Sequence, residues 1–148
     1  MDAVRRPALS LVLPAYNEAA GIDVAVAEAD GALGRFAGDY EILVVDDGSR
    51  DATAAVVTEL ARERSRVRLL RHGCNRGYGA ALRTGFEAAR GERVAFTDAD
   101  GDGRLSPGDF FMVTTRSTAC NYRLDINQME SGSTFVVGQQ DWGFCYST

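Results

Sequence analysis

Carboxylates gather at three places in this chain, each just after an apolar run. Glu18 follows Leu9–Leu13 by way of Pro14, Ala15, Tyr16 and Asn17. Asp46 and Asp47 close the run Glu41–Val45, and Asp98 and Asp100 close Val94–Thr97. Short apolar runs bounded by turn-forming residues predict buried strands. In an open sheet of parallel strands all the carboxyl ends share one edge, and ligands bind there. Three acid-bearing loops, remote in sequence, then converge on one crevice. Carboxylate oxygens are hard donors, suited to a hard cation that holds a phosphate-bearing ligand.

The elements that must position these acids are legible as periods. Ala8–Leu13 predicts a strand closed by Pro14, with Asn17 as the cap of the following helix. Ile22, Val26, Ala29, Leu33 and Phe36 recur at steps of four and three, the period of an amphipathic helix ended by Gly38-Asp39. Tyr40–Val45 predicts a second strand, with Ser49 as the next cap and Asp51 in the first turn. Val56, Val57, Leu60 and Ala61 give helix two its stripe. Val67–Leu70 predicts strand three and Asn75–Gly79 a glycine-rich turn. Tyr78, Ala81, Leu82, Gly85, Phe86 and Ala89 predict the face of helix three, stopped by Gly91, and Arg93–Thr97 predicts strand four. This alternation implies an α/β domain, a mostly parallel sheet with flanking helices and right-handed crossovers. Gly77 and Gly79 would let backbone approach an anion at the start of helix three.

Bulk properties narrow the classes. The chain has 148 residues, one domain's worth, with 45% hydrophobic content and a net charge of −5. That charge disfavours sequence-independent nucleic-acid binding, so no nucleic acid is expected as partner. Cys74, Cys120 and Cys145 are odd in number and form no C-x-x-C pair, which fits a reducing compartment. No apolar run approaches the ~18 residues of a membrane span. Met1–Pro7, with Arg5 and Arg6, does not read as a signal peptide. A cytoplasmic protein is the expectation.

Four segments, LSLVLPAYNEA (9–19), YEILVVDDGSRDAT (40–53), NRGYGAALRTGFEAARGE (75–92) and FTDADG (96–101), occur in the order and spacing of one family. Together they resemble the nucleotide-binding half of family-2 glycosyltransferases, of the Rossmann-like GT-A fold. The subgroup most resembled transfers a sugar to a polyprenyl or dolichyl phosphate. The resemblance implies that Pro14, Ala15, Tyr16 and Glu18 line the base and ribose pocket. It implies that Asp46 and Asp47 hold the base or ribose, and that Asn75, Arg76 and Gly77 form a turn beside the nucleotide. Asp98 and Asp100 match the D-x-D motif, implied to carry the catalytic metal, Mg²⁺ or Mn²⁺, and the diphosphate. Many members have Gln two residues past that motif; here Asp102 stands there, also an oxygen donor. The implied donor is a UDP-, GDP- or dTDP-sugar, transferred with inversion. The implied acceptor is a lipid phosphate, which would bring the protein to a membrane surface as a peripheral partner.

Residues 1–110 are expected to form the GT-A region and 111–148 an atypical, β-rich tail. The family continues well beyond its D-x-D loop with the acceptor site, and the tail does not match that part, so a truncated version of the fold is expected. Residues 116–121 and 133–144 weakly resemble pieces of a plant MATH domain. A second reading overlaps the D-x-D: Asp98, Asp100, Asp102, Arg104, Ser106 and Asp109 occupy liganding positions of an EF-hand-like loop, with Gly103 at its sharp turn. The alternative function is therefore a non-catalytic nucleotide- or Ca²⁺-binding module. An interrupted sheet leaves an edge that a second copy would complete, so a homo-oligomer is a further expectation. His72, the single histidine, reads as a solvated or hydrogen-bonded loop residue, and Arg62, Glu63, Arg64 and Arg66 as a wet helix end.

Overall fold

The computed structural model describes residues 5–97 and 110–113. Among these residues four strands run parallel and a fifth pairs antiparallel: β1 (Leu9–Ala15), β2 (Tyr40–Asp46), β3 (Val67–Arg71), β4 (Arg93–Thr97) and β5 (Phe110–Val113), in the order β3-β2-β1-β4-β5. Helices α1 (Ile22–Phe36), α2 (Thr53–Glu63) and α3 (Tyr78–Ala88) make the crossovers. β5 falls at the expected boundary between the GT-A region and the tail.

Strand alternation sorts the core into two layers. Leu11, Leu13, Ile42 and Val44 face α1 and α2, packing on Ile22, Val26, Ala29, Leu33 and Val57. Val12, Leu43 and Val45 face the other way, against Ala81 and Ala89. β2 is buried along its whole length, which is why it reads as a continuous apolar run rather than an alternating one. Each fully buried Leu, Ile or Val here contributes about 1.5–3 kcal/mol. The expected α3 face holds except at Tyr78, which is 46% exposed. Gly85 lies so close to β1 that an added Cβ would sit 2.3 Å from Val12 Cγ1.

Several local expectations are corrected. β1 does not stop at Pro14 but pairs on through Pro14↔Val45 and Ala15↔Asp46. The proline is tolerated for a geometric reason. Ala15 directs its carbonyl to Asp47 on the β2 side, so the donor that Pro14 lacks points the other way, past the last β1–β4 pair at Val12↔Phe96. α3 ends at Ala88, before Gly91. Gly91 serves close approach instead, since a Cβ there would meet Ser10 N at 2.6 Å. The expected wet helix end is only partly so. Arg62 pairs with Glu59 in solvent, but Arg64 pairs with Asp30 of α1 and Arg66 lies 4.3 Å over the Tyr40 ring.

At the amino end of β2 a buried acid organises the sheet. Glu41 accepts hydrogen bonds from Ser10 Oγ (2.6 Å), the Arg90 N–H (2.7 Å) and Arg68 Nη1 (2.8 Å). Burial alone pushes its carboxyl up, but these three donors outweigh it and hold the pKa below the usual glutamate range.

Candidate functional site

The loops after β1, β2 and β3 leave one edge of the sheet and are stitched to each other by side chains. Asn17, after β1, is in the left-handed region with φ 54°, a conformation asparagine tolerates better than most residues. Its Oδ1 accepts the Arg50 N–H at 2.9 Å, and its own N–H donates to Ser49 Oγ at 2.9 Å. The Glu18 N–H donates to Thr53 Oγ1 and the Ala19 N–H to Asp51 Oδ2. Asn17 and Ser49 therefore do not cap their own helices. α1 starts at Ile22 behind Gly21, and α2 at Thr53 behind Ala52, neither with a side-chain cap on its N-cap residue. Both polar side chains are spent on joining the two loops. Asp51 precedes α2 and accepts the Thr53 N–H.

Asp46 and Asp47 are neighbours that serve opposite faces of the sheet. Asp46 is fully buried; its Oδ1 accepts the Ser49 N–H at 3.0 Å and its Oδ2 meets Arg71 Nε at 3.3 Å. Asp47 turns toward α3. Its Oδ1 takes the Arg76 N–H at 2.9 Å and His72 Nδ1 at 2.6 Å, and its Oδ2 takes the Gly77 N–H at 2.9 Å. Burial raises the Asp47 carboxyl, but the hydrogen bonds from His72, Arg76 and Gly77 outweigh it and leave the pKa lowered. Between these loops Gly48 (φ +72°) is wedged so tightly that a Cβ would fall 2.3 Å from the Cys74 carbonyl carbon.

Of the sequence-predicted residues, those within the described part come together at one edge. Pro14 and Ala15 end β1, Tyr16 stands 41% exposed beyond it, and Glu18 is half-buried against Thr53. Asn75 and Arg76 are exposed, while the backbone N–H groups of Arg76 and Gly77 are held from beneath by Asp47. Asn75 Oδ1 also accepts the Gly77 N–H at 3.2 Å. The Gly77 N–H is donated to Asp47, and the residue itself takes a φ of +96°. Asp98, Asp100, Asp102 and the rest of the 98–109 loop lie outside the described residues. Among the described residues no cluster of His, Cys, Asp and Glu suits a metal ion. Thr97, the last residue of β4, is buried at the same edge, and its hydroxyl has no hydrogen-bond partner among the described residues. A cavity of about 500 Å³ lined by Arg5, Arg6, Ala8, Asp39 and Glu92 lies at the opposite edge, where the strands begin.

Of the two readings of His72, solvated or hydrogen-bonded, the structure bears out the second, and its burial is what sequence reasoning missed. It is buried rather than solvated, 7% exposed, with Nδ1 on Asp47 and Nε2 2.7 Å from Thr84 Oγ1 of α3. Strand alternation places position 72 on the side of Leu70, which packs toward α3, and Thr84 lies beside Ala81 and Gly85 on the buried stripe. That register is the signal by which it was findable.

The family model described as Glycosyl transferase family 2 matches residues 10–102. Over 97 residues the chain is 41% identical to a dolichyl-phosphate beta-glucosyltransferase of Trichomonas vaginalis, covering 62% of this chain and 29% of that protein. The human dolichyl-phosphate beta-glucosyltransferase is 39% identical over 100 residues, covering 63% of this chain and 31% of that one. The chain therefore spans about a third of the length of these relatives. Among solved structures, a mannosyltransferase from Pyrobaculum calidifontis in complex with GDP-Man and Mn²⁺ matches with a TM-score of 0.53 and 31% identity, over 66% of this chain and 28% of that one. The S. aureus TarS 1-349 complex with UDP matches with a TM-score of 0.54 and 28% identity, over 62% and 27%. These likenesses carry the expected GT-A fold. They carry nothing for the MATH resemblance, whose residues lie outside the described part.

Proposed function

The chain belongs to glycosyltransferase family 2, and we propose that it binds a nucleoside-diphosphate sugar at the carboxyl edge of its sheet for transfer of the sugar to a polyprenyl phosphate. The observation that carries this reading is the stitching of the loops after β1, β2 and β3 into one unit by Asn17, Ser49, Asp47 and Thr53. Loops fixed to one another form a preorganised crevice, which reduces the ordering cost of binding. The acceptor follows from the dolichyl-phosphate relatives, and the donor class from neighbours solved with GDP-Man or UDP.

In this reading Pro14, Ala15, Tyr16 and Glu18 border the base and ribose, and Asn75, Arg76 and Gly77 close the other side. Asp46 and Asp47 act chiefly through the loops they hold. Asp98 follows directly on Thr97 at the end of β4, next to β1 in the sheet. With Asp100 and Asp102 it offers hard oxygen donors that fit Mg²⁺ or Mn²⁺. When bound, such a cation stabilises charge on the departing diphosphate. Transfer forms a bond from a lipid-phosphate oxygen to the sugar's anomeric carbon and breaks the bond from that carbon to the diphosphate, with inversion. A phosphate acceptor is already an anion at neutral pH, so no strong general base is required of this chain. No helix among the described residues is long and apolar enough to cross a membrane.

The test is calorimetric titration of UDP and GDP, each with Mn²⁺ or Ca²⁺, into wild type and Asp100→Ala. Metal-dependent nucleotide binding that Asp100→Ala abolishes is the expected result, and it also names the base. Tight Ca²⁺ binding without a nucleotide response would overturn the reading in favour of the calcium loop at 98–109.

A further inference from the structure

His72 joins three elements that the proposed nucleotide site depends on. It sits one residue past the end of β3 and its N–H donates to the Asp46 carbonyl at 2.9 Å. Its ring lies between Asp47 at the end of β2 and Thr84 within α3. Asp47 serves the turn at Arg76 and Gly77 only while both its oxygens stay aimed at two backbone N–H groups. A carboxylate is two-fold about its last torsion and rotates broadly unless something fixes it. As an ionised acceptor it fixes the proton of His72 on Nδ1, and the Nδ1–H in turn fixes the carboxylate plane. The Thr84 hydroxyl at Nε2 keeps the ring from swinging. The three groups are neither exposed nor available as ligands, so their chemistry is orientation.

We propose that His72 is a positioning residue for nucleotide binding: held by Thr84, it sets the Asp47 carboxylate that fixes the 75–77 turn against the nucleotide crevice. The proposal rests on the nucleotide-binding reading for its functional half, and its geometry is testable without that reading. It assigns His72 no contact with substrate and no proton transfer in the reaction.

Three variants separate orientation from mere packing. His72→Leu fills the space and removes both ring nitrogens. His72→Asn places an amide N–H near the position of Nδ1 and restores the donor to Asp47 alone. Thr84→Val cuts only the outer link. The first measurement is amide hydrogen exchange of the ligand-free chain. His72→Leu is expected to speed exchange at Arg76 and Gly77 by about ten-fold or more, the size of one hydrogen bond to a charged group, with β1 and β2 amides unchanged. His72→Asn is expected to return most of that protection. The second measurement is the Kd for UDP and GDP with Mn²⁺. The affinity of the nucleotide that binds is expected to fall about ten-fold in His72→Leu and only a few-fold in His72→Asn and Thr84→Val.

Equal loss of protection throughout the sheet, or no rescue by Asn, would reduce His72 to a packing residue and overturn the proposal. Unchanged exchange at 76 and 77 in His72→Leu would overturn it as well. If wild type binds neither nucleotide, the nucleotide-binding reading fails and takes the functional half with it. The exchange pattern then still decides whether His72 sets the turn.

Discussion

The side chain of Glu41 accepts the main-chain N–H of Arg90 at 2.7 Å, across 49 positions of sequence. Glu41 is the second residue of β2 and Arg90 lies just past α3. At the far end of the same strand Asp47 accepts the Gly77 N–H, just before α3 begins. β2 and the residue just past it thus grip α3 at both ends with carboxylates.

Removing the first grip has a defined pH signature. The pKa of Glu41 is lowered in the folded chain. Its stabilising contribution is therefore present above the ordinary glutamate pKa, about 4.3, and is lost as pH falls through the folded value. Glu41→Gln should flatten the loss of stability with acidification below about pH 4.3. Urea midpoints taken across that range would read it; an unchanged slope refutes the assignment. Glu41→Ala should cost about 2–4 kcal/mol at neutral pH, since three donors lose their acceptor.

Gly48 should be replaceable by nothing larger. Alanine there meets backbone atoms of Cys74 and Asn75 at 2.3 to 2.7 Å with φ at +72°. Overpacking against main chain and a left-handed alanine together predict a loss of about 2–4 kcal/mol. Thermal denaturation of Gly48→Ala is the check, and a shift of less than a degree would contradict the packing described.

Gly85→Ala tests how closely α3 lies on the sheet. The new methyl would press on Val12 Cγ1 at 2.3 Å. Its higher helix propensity gains about 1 kcal/mol, but overpacking costs about 1–3. Net destabilisation is expected, and Val12→Ala in the same chain should relieve it. A double-mutant cycle with no coupling would show that α3 stands further off.

Asn17→Ala removes the acceptor for the Arg50 N–H and leaves alanine at φ 54°. The expected cost is about 1–2 kcal/mol, with nucleotide affinity falling further than stability because the first two loops come apart. Asn17→Gly should recover the backbone share alone. Parallel Kd and unfolding measurements on the pair separate the two contributions.

The strands and their convergence were legible because a doubly covered parallel sheet writes its strands as unbroken apolar runs, as in Ile42–Val45. The family motifs fall on the loops after β1, β2 and β3 that side chains join together. The caps at Asn17 and Ser49 were misread because each side chain had two suitors. Local rules weigh only its own helix, whereas the structure spends it on the neighbouring loop. The partners of His72 lie 25 and 12 positions away, so strand register points to its buried face but not to Asp47 or Thr84 by name. The acids at 98–102 were legible only as a motif, since their placement lies outside the described residues.

Asp46 and Asp47 stand back to back, one commanding the loop that leads to α2 and the other the turn that opens α3. Side chains alternate along a strand with a period of two. Inserting or deleting one residue anywhere in Tyr40–Val45 while the strand stays in register at its start would therefore exchange the two acids between faces. Each loop would be handed the carboxylate aimed at the other. The length of β2 is in this sense a reading frame, and the fold tolerates drift in its apolar letters far better than a slip in their number.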